Sequence, residues 1–150
     1  MRFVRPRRAL LAHGGHGETQ FATQTQYLVD PFPSVERSSA PARRALSTRH
    51  SRSATWWSGR ATVKHDFRLL FAMRPLPRFA RDASAIDGLR RAAREAIGFN
   101  VVFDVIASGD EDVVSTERAA AIRAQTGAAC VAWKGSGAAR LTQGERKATD

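Results

Sequence analysis

The chain has very little cysteine and no long apolar run. Its single cysteine, Cys130, excludes an internal disulfide and any zinc site built on several cysteines. No stretch approaches the roughly 18 apolar residues that a bilayer span requires. We therefore expect no membrane span and no disulfide partner, and the lack of any complete cofactor-binding motif predicts no cofactor.

Acidic residues are missing between Glu36 and Asp66. Residues 1–81 hold 15 Lys/Arg and 4 Asp/Glu, a balance of +11, whereas residues 82–150 hold 9 and 10, a balance of −1. Of the 24 basic residues 21 are Arg, which binds phosphate bidentately and stacks on bases. Such a basic half is typical of a polyanion-binding arm. A GC-rich coding sequence gives the same composition, and so does a reading frame without selected function.

The acid-poor beginning of the chain also fits an organellar targeting segment. In a eukaryote this predicts a mitochondrial or plastid protein, and in a bacterium a cytoplasmic one. The sequence predicts three regions: an irregular Arg-rich extension over 1–62, a small α/β domain over 63–134 and a flexible tail over 135–150.

The domain is predicted around Gly98 to Ser108, the longest run rich in β-branched and aromatic residues, which indicates a central strand. A helix capped by Asp82 or Ser84 precedes it, and a helix from Ser115 or Thr116 to Gly127 follows it. Further strands are expected at 67–73 and 129–133. This alternation predicts an α/β fold, a small βαβαβ-like parallel sheet.

If the strands are parallel, the loops that follow them meet at one edge of the sheet, where open α/β folds bind ligands. Basic side chains in these loops could form an anion or phosphate site: Arg74, Arg78, Arg81 and Lys134. Asp110 and Asp112 could ligate a divalent metal on that phosphate. The alternative function is therefore a small phosphate-ligand enzyme or binding module.

The favoured function rests on tryptophans interleaved with cations. The candidate residues for binding nucleic acid or another polyanion are Arg43, Arg44, Arg49, Arg52, Trp56, Trp57, Arg60 and Lys64. Stacking on bases with phosphate neutralisation predicts a non-enzymatic RNA-binding protein. Docking to a protein partner in a ribonucleoprotein or organellar assembly, or packing of the tryptophans on the domain, explains the same pattern.

No catalytic residue is predicted from the sequence. His13, His16 and Glu18 are three possible metal ligands in a short segment, but the glycines between them leave their geometry unfixed. Cys130 lies in an apolar segment and is expected to be a core residue.

Overall fold

Among the described residues, strands and helices alternate from Arg78 to Ala148. The computed structural model describes residues 3–4, 11–12, 17–31, 44–45, 55–67, 73–95 and 100–148. Its elements are β1 Phe3–Val4, β2 Leu11–Ala12, α1 Glu18–Val29, β3 Arg44–Ala45, β4 Thr55–Lys64, β5 Arg78–Ala80, α2 Ala83–Arg94, β6 Asn100–Ser108, α3 Thr116–Thr126, β7 Cys130–Ala132 and α4 Gly135–Ala148.

Within the described part of the chain, the main sheet has five strands in the order β3-β7-β6-β4-β5. Its three inner strands β7, β6 and β4 are parallel, whereas β3 and β5 pair antiparallel at the two edges. β1 and β2 form a separate antiparallel pair. The predicted α/β class with a parallel centre is confirmed.

Both faces of the second half of β6, residues 105–108, are buried, which explains its density of apolar residues. On one face Val105 and Ala107 pack in a cluster that includes Val63 of β4 and Ile122 of α3. On the other face Ile106 packs with Cys130. Burial raises the pKa of the Cys130 thiol to about 12, so this cysteine is a protonated core residue.

The predicted helix boundaries follow from capping side chains. Asp82 accepts a hydrogen bond from the amide of Ala85 at 2.8 Å, and Ser115 accepts one from the amide of Arg118 at 3.1 Å. Gly127 ends α3 with φ at 68°, a left-handed conformation that glycine adopts without a Cβ clash.

The first parallel strand is Thr55–Lys64 and not the predicted 67–73. Phe67 follows this strand, and residues 68–72 lie outside the described part of the chain. The strand was missed because its polar residues and a register irregularity between Gly59 and Ala61 interrupt the alternation that marks a strand.

Two helices lie where the sequence predicted irregular structure. α1 falls within the predicted extension, and α4 occupies 135–148 in place of a flexible tail. A side chain at Gly137 of α4 would overlap the carbonyl oxygen of Glu18, so the two helices meet through backbone at this glycine. Of the described helices, none is long and apolar enough to cross a membrane.

This contact predicts opposite effects for two glycine substitutions. Gly137→Ala should lower the free energy of unfolding by about 1–3 kcal/mol, because the methyl group needs the space of the Glu18 backbone. Gly88→Ala in α2 should raise it by up to about 1 kcal/mol, because its nearest neighbour is the end of the Arg91 side chain at 3.9 Å. Urea unfolding of both variants measures the difference, and equal effects would contradict the close helix contact.

Candidate functional site

A buried carboxylate, that of Glu18, lies at the carboxyl edge of the parallel strands. The residue is 7% exposed. Its Oε1 accepts hydrogen bonds from the hydroxyls of Ser108, at 2.9 Å, and of Ser136, while its Oε2 pairs with the ammonium of Lys64. Because a buried ion is costly without partners, these three bonds are what makes a carboxylate tolerable here.

The three partners of Glu18 come from different elements that the sheet brings together. Lys64 and Ser108 are the last residues of β4 and β6, and they lie opposite each other in the parallel register. Ser136 is in the first turn of α4, and its amide donates to the hydroxyl oxygen of Ser108 at 3.0 Å. The Glu18 carboxylate therefore lies at the positive end of the α4 dipole, which favours an anion.

A second carboxylate, that of Asp66, completes the group. Its Oδ1 lies 3.1 Å from the Lys64 ammonium, and its Oδ2 accepts the amide of Asp110 at 3.0 Å. Two carboxylates and one ammonium leave a formal charge of −1. We call Glu18, Lys64 and Asp66 the edge triad.

The pKa values of the edge triad reflect this pairing. Burial disfavours the charge on Lys64, but the hydrogen bonds and attraction of Glu18 and Asp66 outweigh it and raise the pKa of Lys64. Burial likewise opposes the charge on Asp66, but the Asp110 amide and Lys64 outweigh it and lower the pKa of Asp66. Lys64 and Asp66 are therefore both charged at neutral pH.

The loop after β6 ties the edge to the surrounding helices. Asp110 Oδ1 accepts the amide of Glu18 at 2.8 Å and so caps the N-terminus of α1. Glu111 binds the guanidinium of Arg118 through two hydrogen bonds of 2.5 and 2.6 Å, and this lowers the pKa of Glu111. The indole nitrogen of Trp133 donates to the carbonyl of Glu111 at 3.1 Å.

The structure spreads the predicted polyanion residues over different environments. Arg43, Arg49 and Arg52 lie outside the described residues, and Arg44 and Trp56 lie in strands β3 and β4. Trp57 is partly buried and packs against the core residues Ile106 and Cys130. Exposed Arg60 bonds Asp104 at 3.4 Å, and Lys64 belongs to the edge triad.

The predicted anion residues also lie apart. Arg74 and Arg78 are exposed next to the carboxyl end of β4, where Pro77 accepts the amide of Lys64. Arg81 lies further toward the amino end of β4, bonds Ser58 at 3.1 Å and has its pKa lowered by burial.

Lys134 follows β7, which is three strands from β5 in the sheet, a separation of roughly 14 Å. An anion site that uses all four residues stays a prediction.

The predicted metal role of Asp110 and Asp112 is likewise untested. Asp110 accepts the α1 amide, and Asp112 is exposed. Among the residues that the structure describes, no group of three or more His, Cys, Asp or Glu could hold a metal ion.

Sequence reasoning missed the edge triad as a unit. No sequence signal sets Asp66 apart, and the predicted role of Lys64 is polyanion binding. Glu18 is a predicted ligand only beside His13 and His16, which lie outside the described residues. One signal for α1 was present: Phe21, Thr25, Leu28 and Val29 recur at helical spacing directly after Gly17 and Glu18. That stripe would have placed Glu18 at a helix N-terminus.

The fold is that of the α/β nucleosidases. One similar solved structure is the 5′-methylthioadenosine/S-adenosylhomocysteine nucleosidase of Neisseria meningitidis in complex with methylthio-immucillin-A, with a TM-score of 0.75 and 24% identity over 97% of this chain and 71% of that one. The corresponding nucleosidase of Helicobacter pylori, as an Asp-to-Asn variant with 5′-methylthioadenosine in the active site, gives 0.77 and 21% over 91% and 62%.

The futalosine hydrolase of Helicobacter pylori gives a TM-score of 0.77 at 21% identity over 91% of this chain and 61% of its own. The chain thus spans less than two thirds of the length of both Helicobacter proteins. No protein-family model matches the chain, and no curated protein matches its sequence.

The predicted RNA-binding or assembly function is wrong. The similar folds belong to nucleosidases, enzymes named for small-molecule substrates. Trp57 packs against Ile106 and Cys130, and Lys64 pairs with two carboxylates, so the described part of the Arg/Trp segment, Thr55–Lys64, is a strand of the sheet. Charge and aromatic content alone did not distinguish these cases.

The buried carboxylate predicts a measurable stability effect. Glu18→Ala should lower the free energy of unfolding by about 2–4 kcal/mol, because it removes the acceptor of the two serine hydroxyls and leaves Lys64 with Asp66 alone. Urea unfolding measures the loss. Glu95→Ala, at the exposed end of α2, is the matched control, and an equally small effect in both variants would contradict the role of Glu18.

Proposed function

We propose that this chain is a hydrolase of the nucleosidase type, which binds a small nucleoside at the carboxyl edge of its sheet and cleaves the bond between base and sugar. The observation that carries the proposal is the edge triad, charged and held at the ligand-binding edge of a fold that nucleosidases share. The predicted alternative, a small phosphate-ligand enzyme or binding module at this edge, is closer to this function than the polyanion arm was.

The charge of the edge triad suits this reaction. Breaking a bond between base and sugar leaves positive charge on the sugar ring in the transition state. Water then supplies the hydroxyl group that replaces the base, and the other proton of this water ends on the released base. A net charge of −1, fixed before the substrate arrives, stabilises that developing charge without reorganisation. The products are the free base and the free sugar.

The side chains of the edge triad differ in their exposure to solvent. The side chains of Lys64 and Asp66 are 21% and 17% exposed, whereas that of Glu18 is 9% exposed. Lys64 is therefore the member that donates to a sugar hydroxyl, and Asp66 supplies fixed negative charge beside it. The raised pKa of Lys64 keeps its proton in place, so Lys64 orients the substrate and does not release a proton to the base. Glu18 holds Lys64.

Base release tests the proposal. The purified chain is incubated with 5′-methylthioadenosine, S-adenosylhomocysteine or futalosine, and the free base is separated by chromatography. We expect release from at least one of them, reduced about 100-fold or more in Asp66→Asn, because the fixed negative charge is lost. Arg91→Gln, on the exposed surface of α2, should leave the rate unchanged.

Two further arms make the result decisive. Thermal unfolding of Asp66→Asn shows whether a lost rate reflects a lost fold. Inorganic phosphate in the reaction distinguishes hydrolysis, which gives free sugar, from phosphorolysis, which gives a sugar phosphate. No base release from any nucleoside, together with no thermal stabilisation by methylthio-immucillin-A, would refute the proposed function.

A further inference from the structure

The imidazole of His65 is buried without a hydrogen bond under the loop that follows β6. Its side chain is 0% exposed, and neither ring nitrogen has a hydrogen-bond partner within the described part of the chain. The backbone holds it there, because the His65 amide donates to the carbonyl of Ser108 at 2.9 Å. Buried polar groups are normally paired, so this imidazole requires an explanation.

The space around the imidazole is closed by Gly109. A Cβ on Gly109 would lie 2.6 Å from Nε2 of His65 and 2.9 Å from the carboxyl carbon of Asp66. Only glycine can therefore occupy position 109, where the loop passes over His65. The closed loop in turn positions Asp110, which caps α1, and Glu111, which binds Arg118.

Charged groups reach His65 from every element around it. Asp66 is its neighbour on the segment after β4, Glu111 lies on the loop with Oε2 3.8 Å from Nδ1, Arg118 is on α3 and Glu18 is on α1. Burial opposes protonation most strongly and lowers the pKa of His65. Asp66, Glu111 and Glu18 act in the opposite direction, and Arg118 adds to the lowering.

Protonation would give the imidazole two N–H donors with no acceptor within hydrogen-bond distance, because Oε2 of Glu111 lies 3.8 Å from Nδ1. The nearest carboxylate, that of Glu111, already accepts two hydrogen bonds from Arg118. The imidazolium can be satisfied only if Glu111 leaves Arg118 or if the loop lifts at Gly109 to admit water. Either change displaces the residues that hold α1 and α3.

We propose that His65 is a pH-sensitive latch: the neutral imidazole lets the loop 109–112 close over the edge, and its protonation opens that loop. The latch lies beside the edge that the proposed function uses, and to that extent it rests on that proposal as a regulator of the same site. The tests measure the free energy of unfolding and the amide hydrogen exchange of the loop, and both are independent of any activity.

The first test is the pH dependence of unfolding. A histidine held neutral by the fold binds a proton more readily in the unfolded chain, so its stabilising effect is complete above about pH 6.5 and is lost as the pH falls. From pH 7.5 to 5.5 the unfolding constant of the native chain should rise by up to tenfold for each pH unit below about 6.5.

Two variants and one control show whether this pH dependence comes from His65. His65→Asn and His65→Phe should remove the pH dependence, while His50→Gln, which deletes another histidine of the chain, should retain it. At least one His65 variant must unfold cooperatively at pH 7.5 for the comparison. The proposal is overturned if the slope persists in that variant, or if neither variant folds and the native chain shows no slope of its own.

The second test locates the change. Amide hydrogen exchange of the native chain should accelerate at residues 109–113 between pH 7.5 and 5.5, after correction for the intrinsic pH dependence, and not in β6. Glu111→Gln should shift the transition to lower pH, because it removes one of the carboxylates that favour the imidazolium. Uniform acceleration over the whole chain, or none in the loop, would overturn the latch.

Discussion

Four elements meet at the carboxyl edge because the Glu18 carboxylate has to be neutralised away from water. Lys64, Ser108 and Ser136 supply its partners from β4, β6 and α4, and Glu18 itself begins α1. An unpaired buried carboxylate would cost more free energy than any one of these contacts contributes. The four elements therefore have to come together for the carboxylate to be paired. This coupling positions the edge triad without a metal or disulfide in the described residues.

The same constraint explains how two helix N-termini lie side by side. α1 and α4 begin next to each other, with Gly137 of α4 against the backbone of Glu18, so their positive dipole ends would repel. Asp110 accepts the first amide of α1, and the Glu18 carboxylate lies at the start of α4. Negative charge that stabilises the fold is therefore already concentrated where a developing positive charge on a substrate would be stabilised.

Part of the candidate site could be predicted from the sequence. Parallel strands imply that their following loops meet, and the loops beginning at Ser108 and Lys134 do meet, through the bond between Ser108 and the amide of Ser136. The edge triad could not be predicted, because Glu18 bonds residues that are 46, 90 and 118 positions away in the chain. Such pairs have no spacing signal, unlike a helical stripe or a cap.

The sequence by itself determined the elements whose signals are local: the central strand, the two capped helices after Asp82 and Ser115, and the end of α3 at Gly127. Only the tertiary structure decided that Thr55–Lys64 is a strand with Trp57 packed against the core, and that Glu18 is a buried ion and not a loose ligand. Caps and apolar alternation act within a few residues, whereas burial of a charge depends on partners that only the folded chain assembles.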